Sequence, residues 1–403
     1  MMTIIVLAGG SDQIALINEL KKRGHKTILV DFFENPPAKP YADKHIVAST
    51  LDTNAVRDIA IRYKVDMICT ACTDQALLTV AKVSEELGLP TYLSYQTALN
   101  VTNKTYMKKL MIQNNIPTSN FIISNKSCNI NVFDLDFPVV VKPADCNSSK
   151  GVIKVNTPQD LLSPLQEAVA FSRTKTAIVE EYMEGEEISA DFYVEGNHAK
   201  LLCATKSKKV RNTNSFTIIQ SCYPAINEQQ ELVLLKIGQQ IVNIFQITDA
   251  PLLVQLICNG DNMRVVEFSA RMGGGSKYRF IEILSGVNIM EKYVDLLMGQ
   301  KPNVSPQKQV SYASTNFIYC HSGIIKTIEG FDYLKDHKII DEYFEYKTVG
   351  MEITQAKTSS DRPAGYIVTA NSKEELERKM LIADSTIKII NTNDKDIMIH
   401  GWI

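Results

Sequence analysis

Apolar residues in this chain fall into short runs that alternate with stretches of helical spacing. Thr3 to Leu7 is an apolar run closed by Ala-Gly-Gly, Gln13 to Lys22 has helical periodicity, and Lys26 to Val30 is a second run ending at Asp31. That succession predicts a strand-helix-strand unit. Val65 to Thr70 and then Asp74 to Leu87 repeat the strand and helix patterns, so residues 1 to about 100 predict a doubly wound parallel α/β domain. The Gly9-Gly10-Ser11 turn could receive a small anion at a helix N-terminus. A tight strand-to-helix turn accounts for it equally, because the third glycine of a dinucleotide fingerprint is absent.

Further along, Asn103 to Asn114 predicts an amphipathic helix carrying Lys104, Lys108 and Lys109. The strand Phe137 to Val141 ends in Lys142-Pro143. A lysine at the end of a buried strand costs desolvation unless an anion meets it. The loop from Asp145 to Gly151 presents hydroxyls, backbone N–H groups and a cation within five residues (147–151), a composition suited to a phosphate chain and also common in solvated hairpins. The run Thr176 to Val179 enters Glu180-Glu181-Tyr182-Met183, where a carboxylate beside an apolar slot suits an adenine amino group. The turn at Gly185 brings Glu187 within reach of a ribose. The strand Lys200 to Val210 carries Lys206, Lys208 and Lys209, cations able to neutralise a phosphoryl group or an acidic substrate.

The apolar runs Leu252 to Cys258 and Val265 to Phe268 flank Asn-Gly-Asp-Asn, the turn chemistry of a β-hairpin. Gln255 and Glu267 interrupt these runs. Their separation is even, so a hairpin loop of odd length sets them directly opposite each other on one face. Ser269 and Arg271 follow at period two on that face. Two oxygens, a hydroxyl and a guanidinium then converge where a hard cation sharing substrate phosphates could sit. A loop, Met272 to Ser276, follows. Arg279 to Leu297 predicts a helix broken at Ser-Gly near Gly286, and the final segment predicts a strand at Tyr366 to Thr369 and a helix at Ser372 to Ala383.

The chain has 403 residues, 45% hydrophobic and 22% charged, which allows two or three domains with real cores. A formal net charge of −2 without a long basic run argues against a nucleic-acid partner. The opening Met1 to Gly10 has no basic n-region and is too short to span a bilayer, so the expectation is a cytoplasmic protein without a membrane partner. Eight scattered cysteines read as small buried hydrophobes in a reducing compartment. Cys69 and Cys72 form a CxxC with no second pair and no nearby His.

Taken together, Asn103-Lys104, Val141-Lys142-Pro143, Ser148-Ser149-Lys150-Gly151, Val179 to Glu187, Gln255, and Val266-Glu267-Phe268-Ser269-Ala270-Arg271 resemble the ATP-grasp superfamily along essentially the whole chain. The Ala-Arg-Met-Gly-Gly form after Ser269 and the segment Arg362-Pro363 to Ala383 resemble its biotin-carboxylase and L-amino-acid-ligase branch. The resemblance implies a multi-domain α/β fold. Residues 1–103 would form an N-terminal α/β domain and 104–302 an ATP-grasp nucleotide-binding domain with a lid at about 115–180. Residues 303–403 would form a C-terminal αβ segment completing the lobe.

It further implies ATP and Mg²⁺ (or Mn²⁺) as cofactors. Lys104 and Lys142 would contact the nucleotide phosphates under a lid formed by Ser148, Ser149, Lys150 and Gly151. Glu180 would accept from the adenine amino group, Glu181 and Met183 would complete that contact through the backbone, and Glu187 would hold the ribose. Gln255, Glu267 and Ser269 would hold the metal, with Ser269 standing where the family usually has Asn. Arg271 would steady the phosphoryl group or acyl phosphate, and Lys206 would be a further phosphate or substrate lysine. Arg279, Lys209 and Arg211 are candidates for a substrate carboxylate. The expected activity is an ATP-dependent carboxylate–amine ligase acting on small molecules such as amino acids, with a homodimer as a possible assembly. A bicarbonate-activating carboxylase, a purine-pathway ligase of the phosphoribosylamine–glycine type, a phosphotransferase and a non-catalytic nucleotide-binding scaffold are the alternatives.

Overall fold

The computed structural model describes residues 1–125, 132, 134–146, 151–210, 217–354 and 359–401. Strands β1 (Thr3–Leu7), β2 (Lys26–Asp31), β3 (Lys44–Val47) and β4 (Met67–Cys69) form a parallel sheet in the order β3-β2-β1-β4. Helix α1 (Ser11–Lys22) connects β1 to β2, α2 (Thr53–Tyr63) connects β3 to β4, and α3 (Asp74–Leu87) follows the last strand. The strands of such a sheet are covered on both faces and so are apolar nearly throughout. Ile4 to Leu7 are accordingly fully buried. Helices α4 (Tyr95–Thr102) and α5 (Lys104–Gln113) follow. Asn103 caps α5 by accepting from the Thr105 N–H.

A second, antiparallel sheet is built from β5 (Phe121–Ser124), β6 (Val139–Pro143), β7 (Ile153–Val155) and β8 (Ala177–Glu181) in the order β5-β8-β6-β7, with α6 (Leu162–Phe171) against it. The third and largest sheet contains β9 (Glu186–Glu195), β10 (His198–Lys209), β11 (Ile218–Tyr223), β12 (Ala250–Asn259), β13 (Asn262–Ser269) and β14 (Tyr312–Phe317). After β15 (Gly323–Glu329), β16 (Glu342–Glu345) and β17 (Glu352–Ile353), the strand β18 (Ala364–Ala370) completes it. The order is β13-β12-β9-β10-β11-β14-β18-β16, antiparallel throughout. The short β17 and the last strand, β19 (Lys388–Asn391), flank β15 in a small separate sheet.

The period of two along β9 and β12 decides what the large sheet does. Ile188, Ala190, Phe192 and Val194, with Leu252, Val254 and Leu256, join the buried core beneath helix α7 (Glu228–Phe245). The alternate residues Glu187, Ser189 and Asp191, and Leu253, Gln255 and Ile257, are left for the opposite face. Nothing in the sequence reading anticipated α7, although Asn227 and Gln230 form a full capping box before its apolar stripe. The helix expected over Arg279 to Leu297 is two helices, α8 (Lys277–Ser285) and α9 (Ile289–Leu297). They are separated where Gly286 adopts φ 70°.

Candidate active site

Strands β12 and β13 form the expected hairpin, and Gln255 pairs directly with Glu267. The geometry that achieves this differs from the expectation of an odd-length loop. The turn is Gly260-Asp261, two residues, and an irregularity between Gln255 and Leu256 leaves Val266 unpaired. That one-residue bulge supplies the odd count. Gln255 also lies opposite Ser189 on β9, which in turn faces Thr205 on β10. A row of polar side chains thus runs inward from the sheet edge.

Beside this row is a cavity of about 430 Å³ between the second sheet and the large one. Lys104, Lys142, Glu180, Glu181, Met183, Glu187, Lys206, Lys209, Gln255 and Glu267 all line it. Residues from six strands and one helix are therefore gathered at a single cavity. The turn that brings β8 into β9 requires glycine. Gly185 adopts φ 143°, and a Cβ there would stand 2.4 Å from the Cys258 carbonyl oxygen.

Charge within the cavity is paired internally. Lys104 Nζ lies 3.1 Å from Glu267 Oε2 and donates to the Cys146 carbonyl at 2.8 Å. Lys209 pairs with Glu187 at 2.5 Å, and Lys206 pairs with Glu186. Glu180 is 3% exposed and carries more partners. Lys142 meets one of its carboxylate oxygens, while Lys108 at 2.7 Å and the Ser119 hydroxyl at 3.1 Å meet the other. Burial alone would raise the Glu180 pKa, but the two lysines override it and hold the carboxyl at about 2. Burial lowers the Lys108 pKa to about 8 despite Glu180. The sequence marks Lys108 only as a lysine of the predicted helix, without a role, and does not mark Ser119. The signal for Lys108 was its position four residues after Lys104, which places both on one helix face.

A second cavity of about 710 Å³ adjoins the first and shares Gln255 and Glu267 with it. Arg271 lines it, oriented by an N-terminal-domain residue, Asp74, that the sequence reading passed over. Arg271 Nε and Nη2 donate to the two Asp74 oxygens at 2.7 and 2.5 Å. Burial would raise the Asp74 pKa, and Arg271 and Ser269 hold it below the usual carboxylate value. Lys277 and Arg362, buried at 8% and 6% exposure, line the same cavity.

Three expectations meet a different arrangement. The Ser269 hydroxyl is hydrogen-bonded to Asp74, so the side chain expected at the metal is engaged with the carboxylate that orients Arg271. Both Glu180 oxygens, expected to face adenine, are occupied by Lys142, Lys108 and Ser119. Arg279 lines neither cavity. It pairs with Glu342 at 2.5 Å in a separate groove of about 1100 Å³ between α1, α8 and β16. Gly151, at φ 67°, packs beside Pro143 and Phe171. Ser148, Ser149, Lys150 and Arg211 lie outside the described residues.

A metal ion is implied by the resemblance, and the donor set can be tested for it. Gln255 and Glu267 offer an amide oxygen and a carboxylate across one strand pair, and Glu267 already faces a cation, Lys104. Mg²⁺ requires only one or two protein oxygens when phosphates and waters complete its shell, so this pair fits. No cluster of three or more His, Cys, Asp or Glu side chains that could hold a metal occurs among the described residues. No described helix is long and apolar enough to cross a membrane.

Residues 135–278 match the ATP-grasp domain model. The chain is 25% identical over 320 residues to a phosphoribosylamine–glycine ligase from Thermococcus kodakarensis, covering 73% of each protein. It is also 25% identical over 185 residues to a formate-dependent phosphoribosylglycinamide formyltransferase from Prochlorococcus marinus, where the match spans 45% of this chain and about half (47%) of that protein. In fold it is similar to an L-amino acid ligase from Bacillus licheniformis, with a TM-score of 0.79 at 20% identity over 98% of this chain and 99% of that one. The domain match covers the strands that carry Lys142, Glu180, Gln255 and Glu267, so residues 135–278 are an ATP-grasp domain, with the parallel N-terminal sheet ahead of it.

Proposed function

We propose that this protein is an ATP-dependent ligase that joins a small carboxylic acid to an amine, releasing ADP and phosphate. The observation that carries the reading is the Gln255–Glu267 pair at the border of two cavities, one rich in lysines and the other containing Arg271. A nucleotide in the first and an acid in the second would meet at that border.

A carboxylate is a poor electrophile, and its charge opposes attack by a nucleophile. Activation requires one of its oxygens to attack the γ-phosphorus of ATP while the bond to ADP breaks. The amine nitrogen then attacks the acyl carbon of the resulting acyl phosphate, phosphate departs with its electron pair, and the nitrogen loses a proton. Positioning and charge neutralisation supply most of the acceleration in such a transfer.

Lys104 and Lys142 meet the phosphates in this scheme, each leaving part of its present carboxylate pairing. Arg271, held by Asp74, neutralises the transferring group. Gln255 and Glu267 hold Mg²⁺ (or Mn²⁺), which when bound lowers the negative charge on the phosphates. Glu180 orients Lys142 from its buried position, and Glu187 lies toward the ribose. Ser269 acts through Asp74. Lys206 and Lys209 remain at the nucleotide cavity as further cations.

A second reading draws on the long match to the phosphoribosylamine–glycine ligase. In that case the amine would be a phosphoribosylamine and the acid glycine, with the same activation step. ADP release measured with and without a panel of acids and amines tests both. Release that requires one acid and one amine supports ligation, and a glycine-plus-phosphoribosylamine requirement selects the second reading. Release with a stable phosphorylated product and no need for an amine would overturn both.

A further inference from the structure

The second cavity has an unusual floor for a site that would receive an apolar side chain. Ser189, Ser207, Ser221 and Thr315 come up from four strands, with Ser207 opposite Ser221 and Ser221 opposite Thr315. Thr315 is 4% exposed, and its hydroxyl has no hydrogen-bond partner among the described residues. An apolar group placed on these hydroxyls would remove their water and return no hydrogen bond.

Two buried cations stand at this floor. Arg362 stacks at 3.7 Å on Phe317 and donates to the Tyr319 hydroxyl at 2.7 Å and the Ile218 carbonyl at 2.8 Å. It forms no ion pair with a carboxylate among the described residues. Lys277 is the first residue of α8, where the helix dipole disfavours a cation. It donates to Thr205 at 2.5 Å and lies 3.4 Å from Asp191, whose other oxygen has no described partner. A buried guanidinium without a counter-charge is costly, and an anion arriving with the substrate would supply that charge. Beyond the reacting carboxylate, which belongs near Gln255, Glu267 and Arg271, the site thus has chemistry for a second anion.

We infer that the acid substrate is a small hydrophilic acid bearing a second anionic group, held by Arg362 and Lys277 over the hydroxyl floor. This rests on the ligase reading above. The second anion can be a carboxylate or a phosphate, since both match a guanidinium fork.

The test uses the full chain with MgATP and hydroxylamine, which attacks an acyl phosphate to give a hydroxamate and free phosphate. The panel pairs acids of matched size: aspartate with asparagine, glutamate with glutamine, malate with 3-hydroxybutyrate, and phosphoserine as the phosphate arm, with leucine and phenylalanine as apolar acids. The expected result is a kcat/KM at least tenfold higher for dianionic acids than for their neutral partners, with the carboxylate and phosphate arms identifying the second group. Equal rates for neutral, apolar and dianionic acids would overturn the inference while leaving the ligase reading intact. Absence of hydroxamate from every acid, with nucleotide still bound, would overturn the ligase reading and this inference with it. Arg362→Gln is expected to raise KM for the preferred acid at least tenfold without changing KM for ATP, and Arg362→Lys to recover part of the loss. An unchanged acid KM in a folded Arg362→Gln protein removes Arg362 from the site, and the wild-type panel decides the substrate class even if that variant does not fold.

Discussion

Glu180 and Glu267 face the same cavity, yet their surroundings differ in kind. Glu180 is 3% exposed and takes two lysines and a hydroxyl, so both its oxygens are satisfied. The Glu267 side chain is 33% exposed and meets one lysine at 3.1 Å. A buried carboxylate that has given up its water for several donors exchanges partners only at a high cost. A half-exposed one joined to a single ammonium can trade it for another cation at little cost. The first arrangement builds the site, and the second leaves a group free to work in it.

The comparison breaks most visibly if Glu267 is replaced. Glu267→Ala is expected to lower kcat/KM by about a thousandfold, roughly 4 kcal/mol of transition-state stabilisation. Its melting temperature should move by no more than a few degrees. Steady-state ADP release and a thermal melt measure the two halves. Loss of folding together with activity would make Glu267 a structural carboxylate like its neighbour.

Glu180→Ala should show the opposite balance. It leaves Lys142 and Lys108 buried without their anion, a change that costs about 3–5 kcal/mol in denaturant unfolding. The same carboxyl predicts an acid limb. Its folded pKa, about 2, lies below the unfolded value of 4.5, so its contribution is complete above about pH 4.5 and is lost as pH falls toward 2. Unfolding curves across that window should flatten in Glu180→Gln relative to wild type. An identical acid limb in the two proteins would assign it to another carboxylate.

How much of this arrangement was readable beforehand depends on sequence distance. The opposition of Gln255 and Glu267 followed from their even spacing and turn residues, although a bulge and not the loop length produces it. Lys142 was legible as a charge at the end of an apolar run, Lys104 as a lysine on an amphipathic helix, and Glu187 as a carboxylate after the Gly185 turn. The Asp74–Arg271 contact joins residues 197 apart, and no local pattern marks it. Lys108 was visible as a lysine, but its burial against Glu180 depends on how α5 meets β8, which periodicity does not encode. Helix α7 was legible in its Asn227–Gln230 capping box and the apolar stripe that follows it.

Asp74 lies between the two glutamates in character: its side chain is 13% exposed, between theirs, and it contacts the reacting region through Arg271. Asp74→Asn keeps the shape and removes the charge that holds the guanidinium. The expected loss in kcat is about 10–100-fold, with KM for ATP changed less than threefold, because charge-assisted bidentate contacts orient as well as bind. Equal losses in kcat and ATP affinity would assign Asp74 to nucleotide binding instead.

The smallest effect is expected at Arg279, and its smallness is informative. Charge and position after the Gly-rich loop made it a candidate for the substrate carboxylate, but its side chain turns to Glu342 and Tyr278 in the groove bordered by α1 and β16. The pair is about one-third exposed on both sides (35% each), where an ion pair contributes at most about 1 kcal/mol. Arg279→Ala should therefore change KM for acid and for ATP less than threefold. A selective rise in the acid KM would mean that the groove and the second cavity act as one site, and that the substrate extends past the Gly273–Gly275 loop to reach it.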